Sequence, residues 1–222
     1  MSYEAGLSKN RLEALTDSIF AVVMTILVLA ISVPQISSSS NYTINSPAAG
    51  TELLKRLFDL WPKVLSFGIS FIILAIYWLA HHRQFHYIKR IDRTIVWINI
   101  VFLMATCLIP FSTSLLGEYR QQQISIFVFG ANSIIIASLL YILWWHATTS
   151  HHSELVDENL DPITKTTSPR RLLFGIAVHL IAIGISFVYI HLSIFVFALI
   201  LVPTFMPNKI MHRMTFGGYN NK

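Results

Sequence analysis

The sequence predicts an all-α fold that crosses a membrane six times, and three observations carry that reading. The 222 residues are 54% hydrophobic with a mean hydropathy of +0.60. Only 12% are charged, against about 25% in an ordinary globular domain, so much of the charge needed to coat a water-facing surface is missing. The apolar residues fall into runs near the roughly 20 residues that a helix needs to span a bilayer. Disorder is excluded, because 15 Phe, 8 Tyr and 5 Trp require an apolar setting. The single cysteine, Cys107, excludes a disulfide framework and multi-cysteine metal modules.

The expected helices cover about 12–33, 58–82, 93–116, 123–147, 171–189 and 191–207, one transmembrane domain over 1–222. The first ends at Pro34, and a polar stretch from Gln35 to Gly50 with four consecutive serines reads as a loop. The second ends in His81-His82-Arg83, and the third and fourth are continuous apolar runs. From Leu172 to Met206 the chain carries no formal charge for 35 residues. One helix of that length would be about 52 Å long, against a hydrocarbon core of roughly 30 Å. It therefore divides into two helices, with the turn placed near Tyr189-Ile190-His191. Arg11, Glu13 and Asp17 at the entrance of the first helix, with no small-residue cleavage site after Val33, argue against a cleaved signal peptide.

Lys and Arg set the orientation. With six crossings, 12 of the 16 fall on the side that holds both termini, and Lys55, Arg56, Lys63 and Arg120 fall on the other. Both termini are therefore expected in the cytoplasm. The net charge of +5 is then a topology signal and no footprint of nucleic-acid binding. Asn41-Tyr42-Thr43 on the outer side fits a glycosylation sequon.

Ionisable groups at membrane depth are costly and are read first as functional. Asp17 stands just before an uninterrupted apolar stretch, and Glu13 lies four residues earlier, where two carboxylates repel. Arg11 is about 240° away around the helix from Asp17, so both acids are expected to find partners on other helices. Their alternative role is to favour a helix start through its dipole. Trp78 and His81 share a face of the second helix, while Trp97 and Asn99 are about 200° apart on the third, so one of them faces the first helix squarely. Each of these donors satisfies a carboxylate.

His82 and His86 have the i,i+4 spacing of a helical zinc site, but no third ligand follows and Arg83 competes, so no metal site is assigned. His151-His152 precede Glu154, Asp157 and Glu158 in a polar stretch, and His179, mid-helix, reads as a packed residue with one hydrogen bond. No nucleophile elbow, phosphate-binding loop or His-Glu-x-x-His helix is present, so no catalytic residue and no cofactor is assigned. Phe216-Gly217-Gly218-Tyr219 faintly resembles a carbonyl filter, but no pore helix precedes it.

One face of the first helix presents Ser18, Val22, Thr25 with Ile26, Leu29 and Ser32. On a lone helix this is a packing face. Several copies around an axis would instead make apolar rings at Val22, Ile26 and Leu29 with a hydroxyl ring at Thr25, and apolar constrictions gate pores by dewetting. A subunit of this size has little room for its own aqueous path, so a homo-oligomer with a central pore is the natural form of that second reading.

Arg11-Leu12-Glu13-Ala14-Leu15-Thr16-Asp17 followed by Phe20-Ala21 resembles the Arg-x-x-x-Phe-Ser-Asp signature of the transmembrane protein 175 potassium channel family. Trp78-x-x-His81, Ile91-Asp92, Trp97-Ile98-Asn99 and Leu108-Ile109-Pro110-Phe111 are similar to its second and third helices. Leu15 and Thr16 depart from the signature conservatively. The resemblance implies a potassium-permeable cation channel without a carbonyl filter, a tetramer of single-repeat subunits in a bacterial plasma membrane. It implies a pore lined by the first helix, with potassium as permeant. The narrowest aliphatic layer then falls at Val22, the next at Ile26 and Leu29, and the threonine layer at Thr25. Val22 is smaller than the isoleucine or leucine expected there. The resemblance further makes Arg11, Thr16 and Asp17, with His81, Trp97 and Asn99, a polar network that supports the pore helix. Two rival readings, a proton-coupled transporter using Asp17 or His179 and a non-transporting scaffold, predict coupled slow flux and no flux respectively. No internal repeat or broken helix pair favours the transporter.

Overall fold

The structure is a computed structural model that describes residues 8–35, 47–149, 154–157 and 160–198. The described residues form helices α1 (Lys9–Ile26, continued by a 3-10 turn Leu27–Ala30), α2 (Pro47–Asp59), α3 (Trp61–Tyr87), α4 (Arg93–Cys107), α5 (Ile109–Glu118), α6 (Gln123–Thr148), α7 (Pro162–Ser186) and α8 (Ile190–Ala198). Five helical stretches among them are long and apolar enough to cross a membrane: 9–30, 49–87, 93–118, 123–148 and 162–186. The remainder of the expected sixth helix, to 207, lies outside the described residues, as do Asn41-Tyr42-Thr43, His151-His152 and Phe216-Gly217-Gly218-Tyr219.

The boundaries differ from the sequence reading in four places. The second crossing is preceded by α2, where a loop was expected up to Gly50. Leu53, Leu54, Leu57 and Phe58 lie on one side of α2 and Glu52, Lys55 and Arg56 on the other, a pattern that stabilises a helix at an apolar–aqueous boundary. The third crossing divides at Leu108, because Pro110 in the first turn of α5 has no N–H to continue the ladder of α4. α7 starts nine residues earlier than expected, at Pro162, where the Asp161 carboxylate accepts from the Ile163 N–H at 3.0 Å. The last turn lies at Phe187–Tyr189, closed by Val188 N–H to Ile185 O at 2.9 Å, slightly before the expected place.

Inside α7, Pro169 leaves the Lys165 carbonyl without its helical donor. The buried Trp144 of α6 donates its indole N–H to that oxygen at 3.2 Å. A proline that would weaken a lone helix is thus accommodated by its neighbour.

The bundle core joins Phe20, Val23 and Leu27 of α1 with Ile73 and Tyr77 of α3, Phe102 of α4, and residues of α6, α7 and α8. A second cluster gathers Leu12, Phe85, Ile88, Ile95 and Leu143. The start of α1, the end of α3 and the start of α4 therefore lie at one end of the bundle. There the α3–α4 link pairs with the segment before α7 through an Ile88–Val156 bridge and Lys89 N–H to Leu155 O at 2.7 Å. At the other end, Arg56 donates to the Gln35 carbonyl at 2.6 Å and ties α2 to the chain that leaves α1.

Candidate functional site

α1 has two faces. Leu12, Thr16, Phe20, Val23 and Leu27, at spacings of three and four, form the buried stripe. Thr16 is the polar member of that stripe and is fully buried. Its hydroxyl donates to the Leu12 carbonyl one turn back, at 2.9 Å. With its hydrogen committed there, the oxygen accepts from the Asn99 Nδ2–H of α4 at 3.1 Å. Asn99 thereby turns its carbonyl to His81 of α3, 2.8 Å from Nε2. The chain of donors fixes the tautomer: His81 carries a proton on Nε2 and donates it to Asn99. The imidazole stacks on Phe85, 4.1 Å between centroids, and on Phe102 at 5.5 Å. One relay, His81 to Asn99 to Thr16 to Leu12, thus joins α3, α4 and α1 through buried groups.

The next residue of α1 makes a second tie. Asp17 accepts from the Trp78 indole N–H of α3 at 2.8 Å. Trp78 is held in turn by the stacked ring of His82, 5.5 Å away. Asp17 therefore finds its partner on another helix, as expected. Glu13 does not: Lys9 approaches it to 3.9 Å from one turn earlier on the same helix. Arg11 lies exposed in the first turn of α1. Trp97 is not brought into the network within the subunit. Asn99 takes the inward position, and the two-residue spacing leaves Trp97 66% exposed on the far side of α4.

The opposite face of α1 is uncovered in the subunit. Ser18, Val22, Thr25, Ile26 and Leu29 are all exposed, Val22 at 55% and Leu29 at 73%. Its hydroxyls turn back to the helix itself, Ser18 to Ala14 O and Thr25 to Val22 O, both at 2.7 Å. Past Ile26 the helix tightens to 3-10 geometry, where Leu27 is fully buried and Val28 and Leu29 are exposed. The exposed residues of α1 include no aromatic side chain, whereas α6 exposes Phe127 and Trp145 and α7 exposes Phe174.

Three polar ties escaped the sequence reading. Asp92 receives the Ile95 N–H at 2.8 Å as the N-cap of α4 and also meets His146 Nε2 of α6 at 2.7 Å. An Asp just before Arg93-Thr94-Ile95 is a legible cap signal, but its histidine lies 54 residues on. Thr113 of α5 donates within 2.8 Å of Ser70 of α3, and the Tyr77 hydroxyl donates to the Ser133 carbonyl at 2.9 Å. His82 and His86, the i,i+4 pair, serve aromatic contacts to Trp78 and Tyr87. His179 is buried and donates Nδ1–H to the Gly175 carbonyl at 2.8 Å, with its ring against Phe197.

Apolar crossings, interhelical polar ties at their centre and an apolar outer surface define a multi-pass helical membrane protein, with its first helix held from behind and open in front. Comparison with known proteins makes this specific. The family described as endosomal/lysosomal potassium channel TMEM175 matches residues 11–110. A protein named as a potassium channel of Chamaesiphon minutus is 31% identical over 188 residues, covering 83% of this chain and 87% of that protein. Another so named, from Streptomyces collinus, is 28% identical over 189 residues, with coverage of 83% and 85%. The crystal structure of a lysosomal potassium-selective channel TMEM175 homolog from Chamaesiphon minutus superimposes with a TM-score of 0.72 at 31% identity, covering 88% of this chain and 95% of that one. The chain belongs to the TMEM175 family.

Proposed function

We propose that this chain is the subunit of a potassium-selective channel in which four copies of α1 surround a central path. The observation that carries the reading is the uncovered face of α1. It combines short aliphatics with the hydroxyls of Ser18 and Thr25 and excludes aromatics, although α6 and α7 expose aromatics freely. Side chains of this size allow helices to approach an axis, which bulky rings would prevent. Relatives that cover most of the chain are named potassium channels, which supports the same activity here.

In such an assembly Val22 forms the narrowest apolar ring and Ile26 and Leu29 the next, with Thr25 between them. Ions are passed or stopped by wetting of these rings, since α1 offers no filter of backbone carbonyls. Thr16, Asp17, Asn99 and His81, with Arg11 at the helix entrance, hold the pore helix and do not ligate the ion. The 12 to 4 distribution of Lys and Arg supports both termini in the cytoplasm, and the named bacterial relative from Streptomyces supports a plasma-membrane location.

The test is a reversal potential in planar bilayers with potassium on one side and sodium on the other. The wild type is expected to show resolvable steps that reverse toward the potassium equilibrium potential. Val22→Asn and Ile26→Asn are expected to raise conductance and move reversal toward zero. Wild-type currents from both variants would remove α1 from the pore.

A further inference from the structure

α2 has four sides of different character, which steps of about 100° per residue set around its axis. Ala49, Glu52 and Arg56 share the first. Ala49 is buried, and Arg56 donates to the Glu52 carboxylate at 2.7 Å and to the Gln35 carbonyl at 2.6 Å, so this side faces the chain that leaves α1. Leu54 and Phe58 stand opposite, 56% and 72% exposed. Of the two flanks, one carries Leu53 and Leu57 and the other Thr51, Lys55 and Asp59, all of them exposed. The apolar half of the helix, from Leu53 round to Phe58, is therefore uncovered among the described residues.

The depth of α2 follows from α3. The 27 residues of α3 are about 40 Å long, enough to cross a hydrocarbon core of roughly 30 Å and reach the headgroups on both sides. Trp61 at the start of α3 and Tyr119 just past the end of α5 are both exposed, and the Lys63–Glu118 ion pair at 2.5 Å brings them to one level. Exposed Trp and Tyr at a common level mark the headgroup region. α2 joins α3 there through Leu60, and Pro62 has no N–H to continue the ladder of α2 into α3. Leu54, Phe58 and Trp61, at spacings of four and three, then carry the exposed apolar surface of α3 onto α2 without a break. Residues 36–46, mostly serine, asparagine and threonine, offer little apolar surface to cover it.

We propose that the apolar half of α2 binds the lipid surface, so that the helix lies along the membrane beside its own subunit. Leu53, Leu54, Leu57 and Phe58 enter the acyl boundary, roughly 5–10 Å below the headgroup surface, while Lys55 and Asp59 face water. The charges of that flank cancel, so apolar insertion drives the contact and a neutral lipid suffices. Through the Arg56 bond to Gln35, the anchored helix fixes the depth at which the chain leaves α1. The assignment rests on α3 crossing the membrane and is independent of where the pore lies.

Spin labelling of the full chain in phosphatidylcholine vesicles tests it. Leu54→Cys, Phe58→Cys, Lys55→Cys and Asp59→Cys are each made in a Cys107→Ser background, which leaves no other thiol. All four positions are exposed in the subunit, so folding does not depend on them. Phe127→Cys, on the exposed surface of α6, serves as the label known to face lipid. Labels at 54 and 58 are expected to collide several-fold more often with oxygen than with a water-soluble nickel chelate, as at 127, and labels at 55 and 59 to show the reverse. Nickel collisions at 54 and 58 equal to those at 55 and 59, with 127 still facing lipid, would put the helix in water and overturn the proposal. Labels at 54 and 58 that are immobilised and shielded from both reagents would give this face to a second copy or to residues 36–46, and would equally refute the lipid contact.

Discussion

Replacing Asn99 by Leu removes one amide from the interior of the bundle while keeping the branching and the heavy-atom count of the side chain, so the change is aimed at the polar brace. Two bonds are lost, to Thr16 at 3.1 Å and to His81 at 2.8 Å. Interhelical hydrogen bonds within membranes contribute about 0.6 kcal/mol on average and at most about 1.7. The His81 Nε2–H is then left unsatisfied in a residue that is 2% exposed, at a cost of about 1–3 kcal/mol. Together these predict a loss of about 2–4 kcal/mol.

The sharper quantity is the coupling with Thr16→Val, which removes the acceptor of the same bond. The two changes share one interaction and should fall short of additivity by about 1 kcal/mol. The assay is reversible unfolding in mixed micelles titrated with dodecyl sulfate and followed by helical circular dichroism. Ser18→Ala, whose hydroxyl bonds only to its own helix, should stay within about 0.5 kcal/mol of the wild type. A coupling indistinguishable from zero, within about 0.3 kcal/mol, in variants that fold, would refute the brace.

Two further substitutions probe how α7 is seated. Trp144→Phe should cost about 1 kcal/mol by orphaning the Lys165 carbonyl; in a Pro169→Ala background the restored backbone N–H satisfies that oxygen, and the same unfolding titration should show the cost shrinking below about 0.5 kcal/mol. Gly130→Ala would place a Cβ 2.8 Å from Ile183 Cδ1 and 2.9 Å from its Cγ1, so a loss of about 1–3 kcal/mol from overpacking is expected; adding Ile183→Ala, which deletes both atoms, should relieve the clash, so that the double variant is no less stable than Ile183→Ala alone.

Long apolar runs made the crossings legible, because a helix of fixed rise must match the bilayer and little else satisfies its backbone. The elements that escaped are those in which polarity and periodicity conflict. α2 reads as part loop because Glu52, Lys55 and Arg56 interrupt its apolar residues, although Leu53, Leu54, Leu57 and Phe58 keep helical spacing. The division of the third crossing followed from Pro110, a residue visible in the sequence whose consequence depends on how α5 packs. For the brace, the sequence named Thr16, Asp17, His81 and Asn99 and restricted Trp97 and Asn99 to one inward residue. It could not choose between those two, because each carries an N–H and only packing decides which one is buried. Nor does the sequence single out Lys9 as the partner of Glu13, since two like charges on one helix face are met as readily by a donor on another helix as by a lysine one turn earlier.

The two ties on α1 act together through their placement. In a bilayer, apolar side chains gain no hydrophobic free energy by meeting protein in place of lipid, so an apolar contact, held by packing alone, fixes a helix weakly against rotation about its own axis. Directional bonds can fix it. Thr16 is held from α4 and Asp17 from α3, and adjacent helical residues point about 100° apart. A rotation that relaxes one bond therefore strains the other, and a rotation by a single residue breaks both. The same rotation decides which side chains of α1 look away from α3 and α4. With the ties in place these are Ser18, Val22, Thr25 and Ile26; turned by one position, Val23 and Leu27 would leave the core and take the places of Val22 and Ile26. The brace thus sets the composition of any ring that copies of α1 form. It follows that weakening Asn99 should change ion selectivity as well as stability, whereas an equally destabilising change at the α6–α7 interface, such as Gly130→Ala on α6, should lower stability alone.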